Sequence, residues 1–124
     1  MSAASTVAGV DLAAARAIAL DLPGAHEEPH FDLTSFRVGT KIFATAPPDG
    51  DQLRIFVDEG EARACAEEDP TTFDVLTWGK KVSGVAVRLS TAEPDRVAEL
   101  LEESWRRRAT KRAIAELDAR VADP

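Results

Sequence analysis

The chain has 124 residues, of which 44% are hydrophobic and 30% are charged, a composition typical of one globular domain and unlike that of a disordered chain. The formal net charge is −7 at pH 7, so anionic polymers are repelled on average and nucleic-acid binding requires a local basic patch. The single cysteine, Cys65, excludes an internal disulfide and favours a reducing compartment.

Residues 1–10 are expected to form a flexible lead-in to one domain that spans residues 11–121. The lead-in lacks both the cationic and the apolar region of a signal peptide. The chain also lacks a run of the roughly 18 apolar residues that a membrane-spanning helix needs. A cytoplasmic protein without a membrane partner is therefore predicted.

The first predicted element is an amphipathic helix. Asp11 is a good N-cap, because its carboxylate can accept the free amide hydrogens of the first turn. Apolar residues then recur at helical spacing, and Pro23-Gly24 ends the helix. The residues that form this apolar face are Leu12, Ala15, Ile18, Ala19 and Leu22.

A polar loop is predicted next, over residues 26–32. It contains the chain's best approximation to a metal site, formed by His26, Glu27, Glu28, His30 and Asp32. Imidazole and carboxylate groups suit zinc or iron. Pro29 disfavours the helix that would bring both histidines to one side. A solvated loop is therefore favoured over a metal site, with His26 and His30 kept as weak candidate ligands.

Residues 35–45 predict a β-hairpin. Two short runs of alternating apolar and polar residues flank Gly39-Thr40, and Gly39 supplies the positive φ that a two-residue turn needs. Because side chains alternate along a strand, Phe36 and Val38 are expected on one face, and Ile42 and Ala44 on one face of the partner strand.

The remaining elements are predicted as a third antiparallel strand over residues 53–57, a short helix over 61–68, an extended piece over 73–76 and a strand over 85–89. A long apolar stripe after Pro94 changes phase near Ala109, which predicts two helices with Thr110 as the N-cap of the second. The fold class is α+β, with an antiparallel sheet of about five strands and helices packed on one face.

Catalysis is not indicated, because phosphate-cradle, dinucleotide-binding, nucleophile-elbow and C-x-x-C motifs are missing from the sequence. Cys65 lies in an acidic helix, which raises a thiol pKa and disfavours nucleophilic chemistry. We therefore predict a non-enzyme without a cofactor.

The basic side chains form the remaining functional signal. Cations on strands and turns, with Trp78 nearby, could hold phosphates and stack a base. Pairing of these cations with the more numerous acids is the simpler interpretation from charge alone. The candidate nucleic-acid contacts are Arg37, Lys41, Lys80, Lys81, Arg88, Arg106, Arg107, Arg108, Lys111 and Arg112.

Several motifs together resemble the MmcQ/YjbR family over residues 11–119. They are Leu22-Pro23-Gly24-Ala25, His30-Phe31, residues 35–45, Asp69-Pro70, Trp78-Gly79-Lys80-Lys81, Val87-Arg88-Leu89, and Ser104-Trp105-Arg106 followed by residues 109–112. The resemblance implies a frataxin-like (CyaY-like) α+β fold and a DNA-binding role. The chain departs from the family at Val82-Ser83-Gly84, where members usually carry a Gly-Trp pair, and at Thr110, where many carry proline.

The leading hypothesis is therefore a binding module for DNA. The alternative is a module for a protein or a small ligand, with a groove between the sheet and residues 26–32. A monomer is expected, although the sequence leaves the oligomeric state open.

Overall fold

Six antiparallel strands form one sheet in the order β1-β2-β3-β4-β6-β5. The computed structural model describes residues 9–48 and 50–122, with side chains up to residue 120. The strands are β1 Ala25–His30, β2 Leu33–Val38, β3 Lys41–Ala46, β4 Gln52–Ile55, β5 Phe73–Trp78 and β6 Lys81–Arg88. The helices are α1 Leu12–Leu20, α2 Glu59–Glu68, α3 Pro94–Arg106 and α4 Lys111–Ala122. The predicted α+β class is confirmed, with six strands instead of about five.

The additional strand is β1, so the prediction of a polar loop over residues 26–32 was wrong. β1 pairs with β2 from Ala25↔Val38 to His30↔Leu33. The segment lacks apolar alternation because it is an edge strand with exposed side chains, and Pro29 is tolerated there because an edge strand has one unpaired side. Phe31 follows in the turn to β2 with a φ of 58°.

The predicted hairpin is confirmed as β2 and β3, and Gly39 has a φ of 63° in its turn. The predicted common face for Ile42 and Ala44 was wrong. Phe36 is opposite Ala44 but Arg37 is opposite Ile42, so β3 carries one extra residue at Phe43. Such a bulge breaks the alternation of side chains along a strand. Phe43 and Ala44 are both buried, and Ile42 lies on the opposite face.

The core lies between the sheet and the helices. Leu53 and Ile55 of β4 are fully buried beneath the apolar stripe of α3, which also packs on β3. Val85 and Val87 of β6 are fully buried as well, and α2 packs against β5 and β6. We call the opposite side of the sheet the open face. Directly opposite residues on paired strands lie on the same face, so one row of such neighbours across all six strands marks it. The row consists of Glu28, Ser35, Thr45, Arg54, Ala86 and Asp74.

The predicted break between the last two helices is confirmed. α3 ends at Arg106, and α4 begins at Lys111 after Thr110, whose Oγ1 accepts a hydrogen bond from the Ala113 amide at 3.1 Å. Capping of this kind satisfies an amide hydrogen that the helix itself leaves free. The out-of-phase stripes therefore both reach the core, and the cations between them stay exposed except for Arg106 and Arg108, which are half-buried.

At the amino-terminal side, Gly9 donates its amide hydrogen to Ala92 O at 2.8 Å and Val10 donates to Leu89 O at 2.8 Å. These bonds hold the last two residues of the predicted lead-in against the connection between β6 and α3. Residues 1–8 of that lead-in lie outside the described residues. Across the described part of the chain, every helix is too short or too polar to span a bilayer.

Candidate functional site

The open face holds a depression of about 340 Å³, to which every strand of the sheet contributes. Its position follows from the twist of the sheet. The β1–β2 turn and the β5–β6 turn lie at diagonally opposite corners, and a twisted sheet turns two diagonal corners toward the same face. The lining residues are His30, Leu33, Ile42, Thr45, Arg54, Phe56, Leu76, Thr77, Trp78 and Ser83.

Two aromatic side chains stand exposed at these corners. Trp78 at the end of β5 is 82% exposed, and Phe31 in the β1–β2 turn is 91% exposed. The Phe31 ring meets the His30 ring edge-on, with 4.8 Å between centroids. Phe31 also adopts a left-handed backbone conformation, which is rare for a bulky residue. Exposed aromatic groups at the rim of a concave surface are typical of binding sites.

Arg54 and Thr45 are opposite each other on β4 and β3, within the lining of the depression. Arg54 donates from Nε to Gln52 Oε1 at 2.9 Å, and within the described part of the chain its Nη groups have no further partner. Thr45 is 4% exposed, and its hydroxyl lacks a hydrogen-bond partner among the described residues. Such a buried, unpaired hydroxyl costs about 1–3 kcal/mol, so this position is not explained by stability.

The described residues that line the depression include one guanidinium and no carboxylate. Along the row that defines the open face, the acids are Asp74, two strands from Arg54, and Glu28, three strands away. The spacing between neighbouring strands places Asp74 about 10 Å from Arg54 within the sheet. The Glu28 carboxylate already lies 2.9 Å from His26 Nε2 and 4.0 Å from Arg37 Nε. The depression is therefore locally cationic in a chain of net charge −7.

Four of the predicted nucleic-acid contacts are engaged within the protein. Arg37 donates to Ser35 Oγ, Arg88 donates to Thr71 O, and Arg106 pairs with both Glu102 and Asp118. Arg108 donates from Nη1 to Phe56 O at 3.0 Å and to Ser104 O at 2.9 Å. Burial lowers the pKa of the Arg108 guanidinium, and the charge of Arg107 lowers it further. Arg108 thus links the end of α3 to the end of β4.

The side chains of the other predicted contacts are exposed and, within the described residues, form no ion pair and no hydrogen bond. Lys41 in the β2–β3 hairpin and Lys80 and Lys81 in the β5–β6 hairpin lie at the same end of the sheet. The α3–α4 connection joins them there, because Arg108 and Thr110 form a small pocket with residues 38–41. We call this set the basic end; its members are Lys41, Lys80, Lys81, Arg107, Lys111 and Arg112.

The basic end is interrupted by acids. β4 ends between the two hairpins and leads into α2, whose N-cap is Asp58 and whose first turn carries Glu59 and Glu61. The exposed cations therefore form two groups on either side of an acidic helix start, which limits how continuous a phosphate-binding surface can be.

The two histidines do not converge. His26 Nε2 lies 2.9 Å from Glu28 Oε2, whereas the His30 ring contacts Phe31. Within the described residues, no three metal-ligating side chains are grouped closely enough to hold an ion. His30 instead lines the depression of the open face. The alternative hypothesis supposed a groove between the sheet and a loop over residues 26–32, whereas residues 25–30 are themselves a strand of the sheet.

Cys65 is buried and free on α2. Burial raises the pKa of its thiol to about 11, against a smaller opposing effect of the Arg96 guanidinium, and Glu61 and Glu68 add to the rise. The acidic helix was predicted to raise this pKa, and burial proves to be the larger cause. At neutral pH the thiol is protonated and therefore a poor nucleophile.

Arg54 and Thr45 were absent from the predicted site. In the sequence, Arg54 is a polar residue between Leu53 and Ile55, and this alternation already places it on the face away from the core. Its position opposite Thr45 depends on the pairing of β3 with β4, which the sequence pattern does not reveal.

Comparisons with known proteins bear on the family and the fold. The YjbR family model matches residues 20–107. The crystal structure of the Deinococcus radiodurans protein DR2400, described as containing the domain DUF419, is 23% identical to this chain and has a TM-score of 0.65. The similarity covers 83% of this chain and 84% of that one, and it supports the fold. No curated protein matches. Because the family model spans more than half of the chain, the protein belongs to the YjbR family.

Proposed function

We propose that the protein is a binding module that takes up a small ligand in the depression of its open face. The observation that carries this proposal is the exposed Trp78 at the rim of a depression of about 340 Å³. This volume is within the range of small-ligand sites, about 300–1,000 Å³. The half-buried apolar residues Leu33, Ile42 and Leu76 supply further contact area.

The proposal is for binding without catalysis. General acid–base catalysis uses paired titratable groups that differ in pKa, and His30 and Arg54 are the ionisable side chains of the lining. The buried thiol of Cys65, with its raised pKa, does not line the depression. The proposal places the protein in the cytoplasm, supported by this single free cysteine.

A fragment screen by ¹H–¹⁵N NMR tests the proposal. We expect bound fragments to shift the amide signals of Thr45, Arg54 and Leu76 together with the indole N–H signal of Trp78, at dissociation constants of about 0.1–1 mM, the range of weak small-ligand binding. The indole signal of Trp105, which donates to Pro23 O from the core, is an internal control and should stay in place. Shifts confined to other surfaces, or no shifts with any fragment, would contradict the proposal.

DNA binding is the second candidate, because the exposed cations of the basic end have no partners among the described residues. If DNA binds there, replacing Lys80 and Lys81 by glutamate should weaken binding at least tenfold and reduce the slope of log K against log salt by about 2. Fluorescence anisotropy with duplex and single-stranded DNA at low salt measures both quantities.

The matched control carries Arg16→Glu and Arg63→Glu. It changes the net charge equally, at exposed positions on α1 and α2 outside the basic end. An equal loss of affinity in the control would indicate a net-charge effect only. If the unmodified protein binds neither DNA form at low salt, this candidate function is wrong.

A further inference from the structure

We infer that the ligand of the open face is a small anion that carries a planar ring. This inference rests on the proposed function and names the chemical class of its ligand. It depends on the charge of the lining, on an unpaired hydroxyl and on an exposed indole, each of which accounts for a different part of such a ligand.

Arg54 accounts for the anionic group. The residue is half-buried, and the described lining around it contains no carboxylate to neutralise its guanidinium. Among the other half-buried arginines, Arg96 meets Glu61 at 2.9 Å, and Arg108 donates from Nη1 to two backbone carbonyls, whereas the Nη groups of Arg54 have neither kind of partner among the described residues. The planar guanidinium fork of an arginine matches the oxygens of a carboxylate or a phosphate. Partial burial strengthens the attraction, because the effective dielectric constant is lower than in water.

Thr45 accounts for a further polar contact with the same group. It lies directly opposite Arg54, and its shielded hydroxyl lacks a partner within the described chain. Cross-strand neighbours have Cβ atoms about 4.5–5.5 Å apart, so a ligand oxygen near Arg54 lies within reach of a reoriented Thr45 hydroxyl. An anionic oxygen is a strong acceptor for that hydroxyl and would relieve the cost of leaving it unpaired.

Trp78 accounts for the ring. The indole is 82% exposed at the rim, where it has a free face for stacking. Ile42, Phe56 and Leu76 line the same depression as Trp78 and Arg54 and add apolar surface to it. An indole stacks on many different planar rings. The site therefore selects a ligand by its planar ring and its negative charge more than by the substituents on the ring.

The experiment compares ligands that carry both features with ligands that carry one. Adenosine 5′-monophosphate and indole-3-acetate have a ring and an anion, adenosine has the ring alone, and ribose 5-phosphate has the anion alone. In NMR titrations we expect at least one ring-bearing anion to bind at the open face about tenfold or more tightly than adenosine and ribose 5-phosphate.

Three variants assign the contacts. Arg54→Gln should weaken binding of the ring-bearing anion about tenfold and leave adenosine unchanged, and Arg63→Gln on α2 removes the same charge elsewhere as a control. Trp78→Ala should weaken the binding of both the ring-bearing anion and adenosine about tenfold. Thr45→Val should weaken only the anion while the melting temperature of the free protein stays equal or rises, a combination that a purely structural role would not produce.

The outcomes separate this inference from the proposal on which it rests. If neither ring-bearing anion binds more tightly than adenosine and ribose 5-phosphate, or if only neutral fragments bind at the open face, the inference is overturned and the small-ligand proposal stays intact. An open face that binds no fragment and no anion overturns both. Titration with a single-stranded decadeoxyadenylate distinguishes the two possible sources of such a ligand. Binding more than tenfold tighter than that of the monophosphate supports a nucleotide within a strand. Equal binding supports a free small molecule.

Discussion

Replacing Trp105 by alanine should lower the free energy of unfolding by about 3–5 kcal/mol. The side chain is the largest fully buried group of the described core, and its Nε1 donates to Pro23 O at 3.1 Å. The indole therefore fills the space between α3 and the end of α1 and also fixes the chain that leads into β1. The loss should appear as a lower midpoint of urea denaturation and as a fall of about 10–20 °C in melting temperature.

Two variants control this result. Trp105→Phe keeps most of the buried ring but leaves Pro23 O without its donor, so an intermediate loss of about 2 kcal/mol is expected. Trp78→Ala removes the same type of side chain from an exposed position and should change stability by less than about 0.5 kcal/mol. Equal losses for Trp78→Ala and Trp105→Ala would contradict this assignment of core and surface.

Much of the fold is predictable because local patterns determine it. Gly39 and the alternating runs around it are sufficient to specify the β2–β3 hairpin, and the phase change of the apolar stripe is sufficient to separate α3 from α4. β1 escapes prediction because its side chains are polar on an edge strand, where pairing with β2 supplies the stabilisation. The bulge at Phe43 was not predicted, because it is defined by the register of β3 against β2, which the sequence pattern does not show.

The site is less predictable, because charge is visible in a sequence and pairing is not. Arg106 and Arg108 stand in a basic run, yet one pairs with Asp118 and the other donates to Phe56 O, 52 residues away in the chain. Conversely, Arg54 is an unremarkable strand residue until β3 and β5 bring Thr45 and Trp78 to the same depression. The positions of cations in the sequence therefore predicted the basic end. The cationic depression depends on the order of the strands in the sheet, which those positions do not show.

Replacing Gly84 by alanine is the second substitution with a large expected effect, a loss of about 3 kcal/mol. A Cβ at this position would lie 2.2 Å from Ile55 O and 2.8 Å from Phe56 Cα, both backbone atoms of the neighbouring strand and its exit. β4 and β6 would have to separate there, because neither backbone atom can move alone. Glycine inside a strand is typical of such close approach of two backbones.

Gly60→Ala is the matched control, since its Cβ would meet Asp58 Oδ1 at 3.5 Å, an ordinary contact, within the first turn of α2. We expect it to raise stability by about 0.5–1 kcal/mol through helix propensity. Urea denaturation compares the two variants, and a Gly84→Ala loss below about 1 kcal/mol would show that the strands are not held this closely. Because Gly84 fixes the approach of β6 to the segment that carries Phe56, the same variant should also displace the NMR signals of Phe56 and Leu76 in the open-face depression.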